Sequence, residues 1–332
     1  MVAPSTPPSD AGHRDARSLA QNLLPHLREV TDGRLGKVRW FKTDWQRGGA
    51  ATGRVMWRKE GVEHAAIIKM PVVGRELLWL RRLQQATAPQ ETNDRSAIIP
   101  QLYASGTTLG TYDMAWVVIE CFDYGPLGKR WHENHITRLC DAAAAFHEAA
   151  AMFEIDQPPR REDWPTLLKD SLELIKINEL PHQQRWTKAL KKIRRHEDEI
   201  ITQWRARDTQ QWLHGDLHLA NAMSRVSPTT GPVSLIDLAE VHTGNWIEDA
   251  VYLERQLWAR PERLAAASPI KLLAAARRRR GLPVEVEWPH LAAIRRLLMA
   301  ATSPRFLRSE GHPRFLRASL DQLEGAILTL RL

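Results

Sequence analysis

Apolar residues recur at helical spacing over residues 15–30, where Ala16, Leu19, Leu23, Leu27 and Val30 fall on one side. That period predicts an amphipathic helix, stopped near Asp32-Gly33. From Lys37 to Trp45 the pattern shortens to alternation, with Val38 and Trp40 set against Arg39 and Phe41, and predicts a strand. A polar, glycine-rich stretch follows from Gln46 to Gly53. Strand patterning then returns over Arg54–Arg58 and His64–Met70, divided by a turn at Glu60-Gly61. Three strands parted by glycine turns predict an antiparallel meander. Gly74–Gln84 reverts to the helical period, with Leu77, Leu80 and Leu83 on one side and Arg75, Arg81 and Arg82 elsewhere. Pro89–Ser96 reads as a polar loop. Ile98–Tyr103 and Met114–Cys121 read as further strands, with a turn near Leu109-Gly110.

The patterning breaks at Phe122-Asp123-Tyr124-Gly125-Pro126. Residues 133–155 and 165–206 beyond it are helical in period, strands reappear briefly over 207–240, and helices dominate to the end. A sheet-rich segment followed by a helical one is not the alternation of a parallel βαβ fold and predicts an α+β chain. The expected organisation is a tail over 1–14, a lobe with a leading helix over 15–122 and a helical lobe over 123–332. Met1–Asp10 carries Pro4, Pro7 and Pro8 and lacks the apolar stretch of a signal peptide, so the tail is expected to be disordered.

Composition narrows the class. A chain of 332 residues with 43% apolar positions can bury one large core or two smaller ones. No apolar run approaches the roughly 20 residues of a membrane-spanning helix. Cys121 and Cys140 are too few for a disulfide framework. They read as small buried hydrophobes in a reducing compartment, and the expected location is cytoplasmic. The 47 Lys+Arg exceed the 39 Asp+Glu, giving +8, a balance that favours anionic ligands such as nucleotides. Thirteen tryptophans scattered from Trp40 to Trp288 read as core anchors; in the helical half, Trp164, Trp186, Trp204, Trp246 and Trp258 have a sugar-stacking face as the alternative. Arg277–Arg280 follows Ala274-Ala275-Ala276 and is expected to be a solvated last helical turn.

The candidate chemistry centres on Trp212–Met223, which holds His214, Gly215, Asp216, His218 and Asn221, and on Leu235-Ile236-Asp237. Each segment reads as a short strand ending in a polar loop. A carboxylate, a carboxamide five residues on and a second carboxylate on the next strand suit a metal-bound phosphate. In phosphoryl transfer a cradle holds the phosphates, metal ions neutralise them and a further group orients the acceptor hydroxyl. Asp216 is placed to accept the hydroxyl proton, and Asn221 and Asp237 supply the hard oxygen ligands that suit Mg²⁺. His214 braces the loop by hydrogen bonding; with His218 it would suit zinc only on a helix, which Gly215 argues against. Gly48, Gly49 and Gly53 form the candidate phosphate cradle. They are not the G-x-x-x-x-G-K-[ST] loop, because no Lys-Ser or Lys-Thr follows Gly53. Lys69 ends an apolar strand within reach of α and β phosphates, and Glu76 on the next helix can hold it in place.

His-Gly-Asp-Leu-His-Leu-Ala-Asn followed by Leu-Ile-Asp resembles the catalytic loop and metal-binding segment of the aminoglycoside phosphotransferase and choline kinase group. The likeness spans roughly residues 35–255. It implies a two-lobed, protein-kinase-like fold with a small antiparallel-sheet lobe, a larger helical lobe and a cleft between them. It implies catalytic roles for His214 and Asp216 and metal ligation by Asn221 and Asp237. Nucleotide contacts are implied at Gly48, Gly49, Gly53, Lys69 and Glu76, and at a hinge including Glu120 and Phe122. Residues 244–249 resemble a segment ending in a structural aspartate, here Asp249, and Ala-Phe-His ending at His147 resembles the family's Leu-His helix. The implied cofactors are ATP, with GTP as the alternative, and Mg²⁺.

The acceptor is expected to be a small hydroxylated molecule: a sugar, an aminoglycoside-like compound or an amino alcohol. The last eighty residues are arginine-rich, which lowers the case for a polycationic antibiotic without excluding it, and a neutral or anionic hydroxylated acceptor fits at least as well. The rivals are a glycolipid or lipopolysaccharide-sugar kinase making peripheral contact with an anionic surface, a protein kinase, and a non-catalytic nucleotide-binding pseudokinase. No nucleic-acid partner is expected.

Overall fold

The computed structural model describes residues 20–42, 50–86, 97–307 and 311–332. The expected tail over 1–14, most of the first half of the leading helix, and Gly48 and Gly49 lie outside the described residues. The chain forms two compact units. The first takes in residues up to Gly125 together with Met223–Val226 and Ser234–Glu240; the second comprises the remainder.

In the first unit, helix α1 (Leu24–Val30) precedes strands β1 (Arg39–Lys42), β2 (Ala51–Lys59) and β3 (Val62–Met70). Helix α2 (Gly74–Ala86) and strands β4 (Leu102–Gly106) and β5 (Trp116–Glu120) follow. The sheet has order β1-β2-β3-β5-β4 and its pairings are antiparallel. One face packs Val55, Trp57, Ala66, Ile68, Met70 and Trp116 against Leu23 and Leu27 of the leading helix. Alternation along β3 places Lys69 on the opposite side from Ile68 and Met70.

Two boundaries differ from expectation. Gly53 lies inside β2, paired with Trp40, and not in the preceding turn. A Cβ there would stand 2.6 Å from Val38 Cγ1 and 3.0 Å from Trp40 Cε3. Close packing of β1 therefore accounts for this glycine. The strand expected over Ile98–Tyr103 begins only at Leu102, because Pro100 has no N–H to give to a ladder.

The second unit is mainly helical: α3 (His135–Ala150), α4 (Trp164–Ile177), α5 (Gln183–Arg194), α6 (Glu197–Arg205), α7 (Ile247–Arg255), α8 (Pro261–Ala266), α9 (Pro269–Arg279), α10 (Trp288–Thr302) and α11 (Pro313–Thr329). Start signals are visible locally. Asp163 Oδ1 accepts the Thr166 N–H at 3.3 Å ahead of α4, and Pro165 occupies its first turn. Trp164, Trp186, Trp204, Trp246 and Trp258 are all at most 4% exposed, so they are packed in the interior and present no open sugar-stacking face. Buried alanines on α3 (Ala142–Ala145) and α9 (Ala274, Ala276) let these helices approach closely.

That approach overturns the expectation for Arg277, which is 2% exposed. Its neighbours Arg279 and Arg280 do reach outward, pairing with Asp141 and with Glu148. Among the described residues, no helix is long and apolar enough to cross a membrane.

Candidate active site

In the first unit, Lys69 and Glu76 meet although only seven residues separate them. β3 ends at Met70 and α2 starts at Gly74, so Glu76 falls in the first helical turn. Lys69 Nζ donates to both Glu76 oxygens, at 2.7 and 2.8 Å, and to Asp237 Oδ1 at 3.3 Å. Burial works against the ammonium charge, but Glu76 and Asp237 outweigh it and raise the Lys69 pKa. Burial pushes the Glu76 carboxyl up against the pull of Lys69.

Asp237 adopts φ of 63° between strand β7 (Ser234–Leu235) and a 3₁₀ turn at Leu238–Glu240. A left-handed aspartate costs about 1–3 kcal/mol and persists where its surroundings fix it. Here Leu235 N–H donates to Ile98 O at 2.7 Å, and the 3₁₀ turn packs on α2.

The Glu120 carboxylate is bound by Arg225, with Nε–Oε1 and Nη2–Oε2 both at 2.7 Å, and it accepts the Gln101 N–H at 3.1 Å. The Arg225 guanidinium also reaches Ala97 O, Ile99 O and Ser234 Oγ, and lies 4.7 Å from the Phe122 ring centroid. The N–H groups of Glu120 and Cys121 are taken by Gln101 O and Ala65 O. The N–H of Phe122, the next residue in the chain, has no backbone partner among the described residues.

In the second unit, strand β6 (Gln211–Leu213) pairs with β8 (His242–Gly244) and delivers the chain to His214. Gly215 takes φ of 79°, a turn suited to glycine. Asp249, 1% exposed, holds this turn: Oδ2 accepts the His214 N–H and Oδ1 the Gly215 N–H, each at 2.9 Å. Oδ2 also accepts from His147 Nε2 at 3.0 Å. Burial opposes the Asp249 charge, but these donors outweigh it and lower its pKa. The His214 ring is fully buried, and its Nδ1 accepts the Asp216 N–H at 3.3 Å. That bond ties the buried His214 ring to the Asp216 backbone.

Asp216 receives three side-chain donors. Tyr252 Oη lies 2.7 Å from Oδ1, while Asn221 Nδ2 and His218 Nε2 lie 2.9 and 3.3 Å from Oδ2. Partial burial resists its charge, yet His218, Tyr252 and Asn221 hold the carboxyl well below the usual range. Asn221 Nδ2 also donates to the Asp216 carbonyl at 3.1 Å, which orients the carboxamide with its oxygen directed elsewhere.

The sequence reading missed Tyr252 and Arg225. Tyr252 carried a signal, since it lies one helical turn past Asp249 and so shares its face of α7. Arg225 carried none. Gly48 and Gly49 lie outside the described residues. No group of three His, Cys, Asp or Glu side chains able to hold a metal occurs among the described residues.

The sequence pattern of the phosphotransferase enzyme family matches residues 62–288, more than half of the chain. No curated protein sequence matches it. Among solved structures, a microcompartment-associated aminopropanol kinase is similar at TM-score 0.55 and 17% identity, covering 93% of this chain and 94% of that one. An aminoglycoside phosphotransferase from Alicyclobacillus acidocaldarius is similar at TM-score 0.56 and 15% identity, covering 90% and 92%. The GDP complex of an aminoglycoside 2'-phosphotransferase is similar at TM-score 0.52 and 14% identity, covering 94% and 96%. Those similarities identify the fold as the α+β, protein-kinase-like one, and the sequence match establishes that the chain belongs to the phosphotransferase enzyme family.

Proposed function

We propose that the enzyme transfers the terminal phosphoryl group of ATP, with Mg²⁺, to a hydroxyl of a neutral or anionic small molecule. The observation that carries this is the Asp216 carboxylate, kept ionised and fixed by Tyr252, Asn221 and His218. A carboxylate offers about four lone-pair sites, and these three donors leave one for an acceptor hydroxyl. With so low a pKa, Asp216 is a weak proton sink in the ground state. It orients the hydroxyl and takes its proton late, as that oxygen bonds to phosphorus and becomes acidic.

In this reading Lys69, held by Glu76, binds nucleotide phosphates, and the Phe122 N–H pairs with the base beside Glu120. The committed amide of Asn221 leaves its oxygen for a cation. Asp237 offers a half-exposed carboxylate. These hard donors fit Mg²⁺ completed by phosphate oxygens and water; the cation would neutralise charge on the phosphates. The GDP held by one structural relative keeps GTP as the alternative nucleotide.

The carboxylates of the helical unit support that acceptor class. Glu162, Glu248 and Glu254 bond to Arg295, Arg207 and Arg296 at 2.8, 2.9 and 2.6 Å. Asp321 and Glu324 both bond to Arg185, at 2.9 and 2.7 Å. A polycationic acceptor would need such groups uncommitted. The test is a screen of hydroxylated metabolites for Mg²⁺-dependent transfer from ATP, run beside Asp216→Asn. Transfer by the native enzyme alone supports the reading; nucleotide binding with no transfer to any acceptor makes the protein a binding module.

A further inference from the structure

We infer that Arg277 is a positioning residue: it holds His147 neutral with its proton on Nε2, and through His147 and Asp249 fixes the backbone of the Asp216 loop. This rests on the reading that Asp216 serves the transfer. Arg277 sits in the last turn of α9, and its Nη1 lies 3.0 Å from His147 Nδ1. A guanidinium only donates hydrogen bonds, so Nδ1 must accept and the imidazole proton must sit on Nε2. That nitrogen then donates to Asp249 Oδ2, the oxygen that also takes the His214 N–H.

One further Arg277 donor ties down the stem of the same loop, and two hold the connection that follows α9. Nη2 reaches Gln211 Oε1 at 3.0 Å, in the strand leading to His214, and Nη2 and Nε both reach Pro283 O. The cation also lies 5.5 Å from the Trp246 ring centroid. Its direct partners among the described residues are thus an imidazole, a carboxamide and a carbonyl, all neutral. Burial draws its pKa down to about 10, so it stays charged near neutral pH.

His147 is faced by Asp249 from α7, by Arg277 from α9 and by His214 from the loop, with the Phe146 ring at its edge. A histidine beside a buried carboxylate ordinarily gains a proton. Here a second proton would sit on Nδ1 and point at a guanidinium N–H. Burial and that cation keep His147 neutral, and Asp249 remains a full acceptor for the loop amides.

The test is nitrogen-15 NMR of the histidine rings with amide hydrogen exchange. In the native protein His147 should remain the neutral Nε2–H tautomer from about pH 8 down to about pH 5.5. In Arg277→Met it should titrate within that range, and exchange at the His214 and Gly215 amides should rise about tenfold or more. Mg²⁺-ATP turnover should fall by about tenfold with little change in KM for ATP. Arg277→Lys keeps a donor for Nδ1 and should restore the tautomer and most of the protection. Native His147 found protonated, or bearing its proton on Nδ1, at neutral pH would overturn the inference, and this readout holds even if Arg277→Met does not fold. Unchanged tautomer and exchange in Arg277→Met would overturn it equally. The tautomer and exchange results without any turnover in native protein would leave the positioning role standing and remove the phosphotransfer reading.

Discussion

Replacing Asp249 by asparagine probes how firmly the Asp216 loop is held. The carboxylate takes three donors: the His214 and His147 N–H groups on Oδ2 and the Gly215 N–H on Oδ1. An asparagine can keep its oxygen toward His214 and His147, but its NH₂ then faces the Gly215 N–H. The opposite rotamer sets two donors against the NH₂. The better choice leaves one buried donor unsatisfied, at about 1–3 kcal/mol, and weakens two charge-assisted bonds to ordinary ones. The sum is roughly 2–5 kcal/mol of stability, with the low end set by how far the Gly215 turn relaxes. That relaxation moves Asp216, and a displacement near 1 Å costs about a hundredfold in rate. Urea unfolding gives the first quantity and Mg²⁺-dependent transfer the second. A variant within about 0.5 kcal/mol of native stability, the range of an ordinary surface substitution, would refute the anchoring role.

Two further outcomes are expected. Lys69→Met leaves Glu76 buried without its cation, which costs about 3 kcal/mol, and weakens ATP binding by more than tenfold; adding Glu76→Gln should recover stability but not affinity, and calorimetric affinity equal to native would count against Lys69 as a phosphate contact. Stability should fall on acidification in two stages. His147 and His135 have folded pKa values depressed chiefly by burial, so the neutral forms are favoured and stability is lost as pH drops below about 6.5, where the unfolded chain gains protons. Asp249 and Asp216 have depressed folded values, so their contribution is complete above about pH 4 and is lost below it. Urea midpoints flat or rising from pH 7 to pH 5 would contradict the histidine part.

What was legible in the sequence was local. Lys69 closes an apolar alternation and Glu76 opens a helical repeat, so a strand, a short turn and a helix bring them together whatever else the chain does. His214, Gly215, Asp216 and Asn221 lie within eight residues, and one turn fixes them. Gly53 misled because a glycine has two uses: it reads as a turn residue, yet it makes room for Val38 and Trp40 across a strand pair. Arg277 misled for the converse reason. A basic run at a helix end usually meets solvent, and only the approach of α9 to α3 through small residues buries the first of the four. Arg225 acts on a partner 105 residues away, a contact that no local period encodes, while Tyr252 was marked only by its place one helical turn past Asp249.

The most direct measurement compares native enzyme with Asp216→Asn for transfer of labelled γ-phosphate from Mg²⁺-ATP, with nucleotide affinity measured on the same samples. The role of Asp216 as base predicts that transfer is lost, by at least the roughly 10²–10⁴-fold attributed to a positioned base, while ATP affinity stays within about twofold and a chelator abolishes native transfer. Native-level transfer in Asp216→Asn would contradict it.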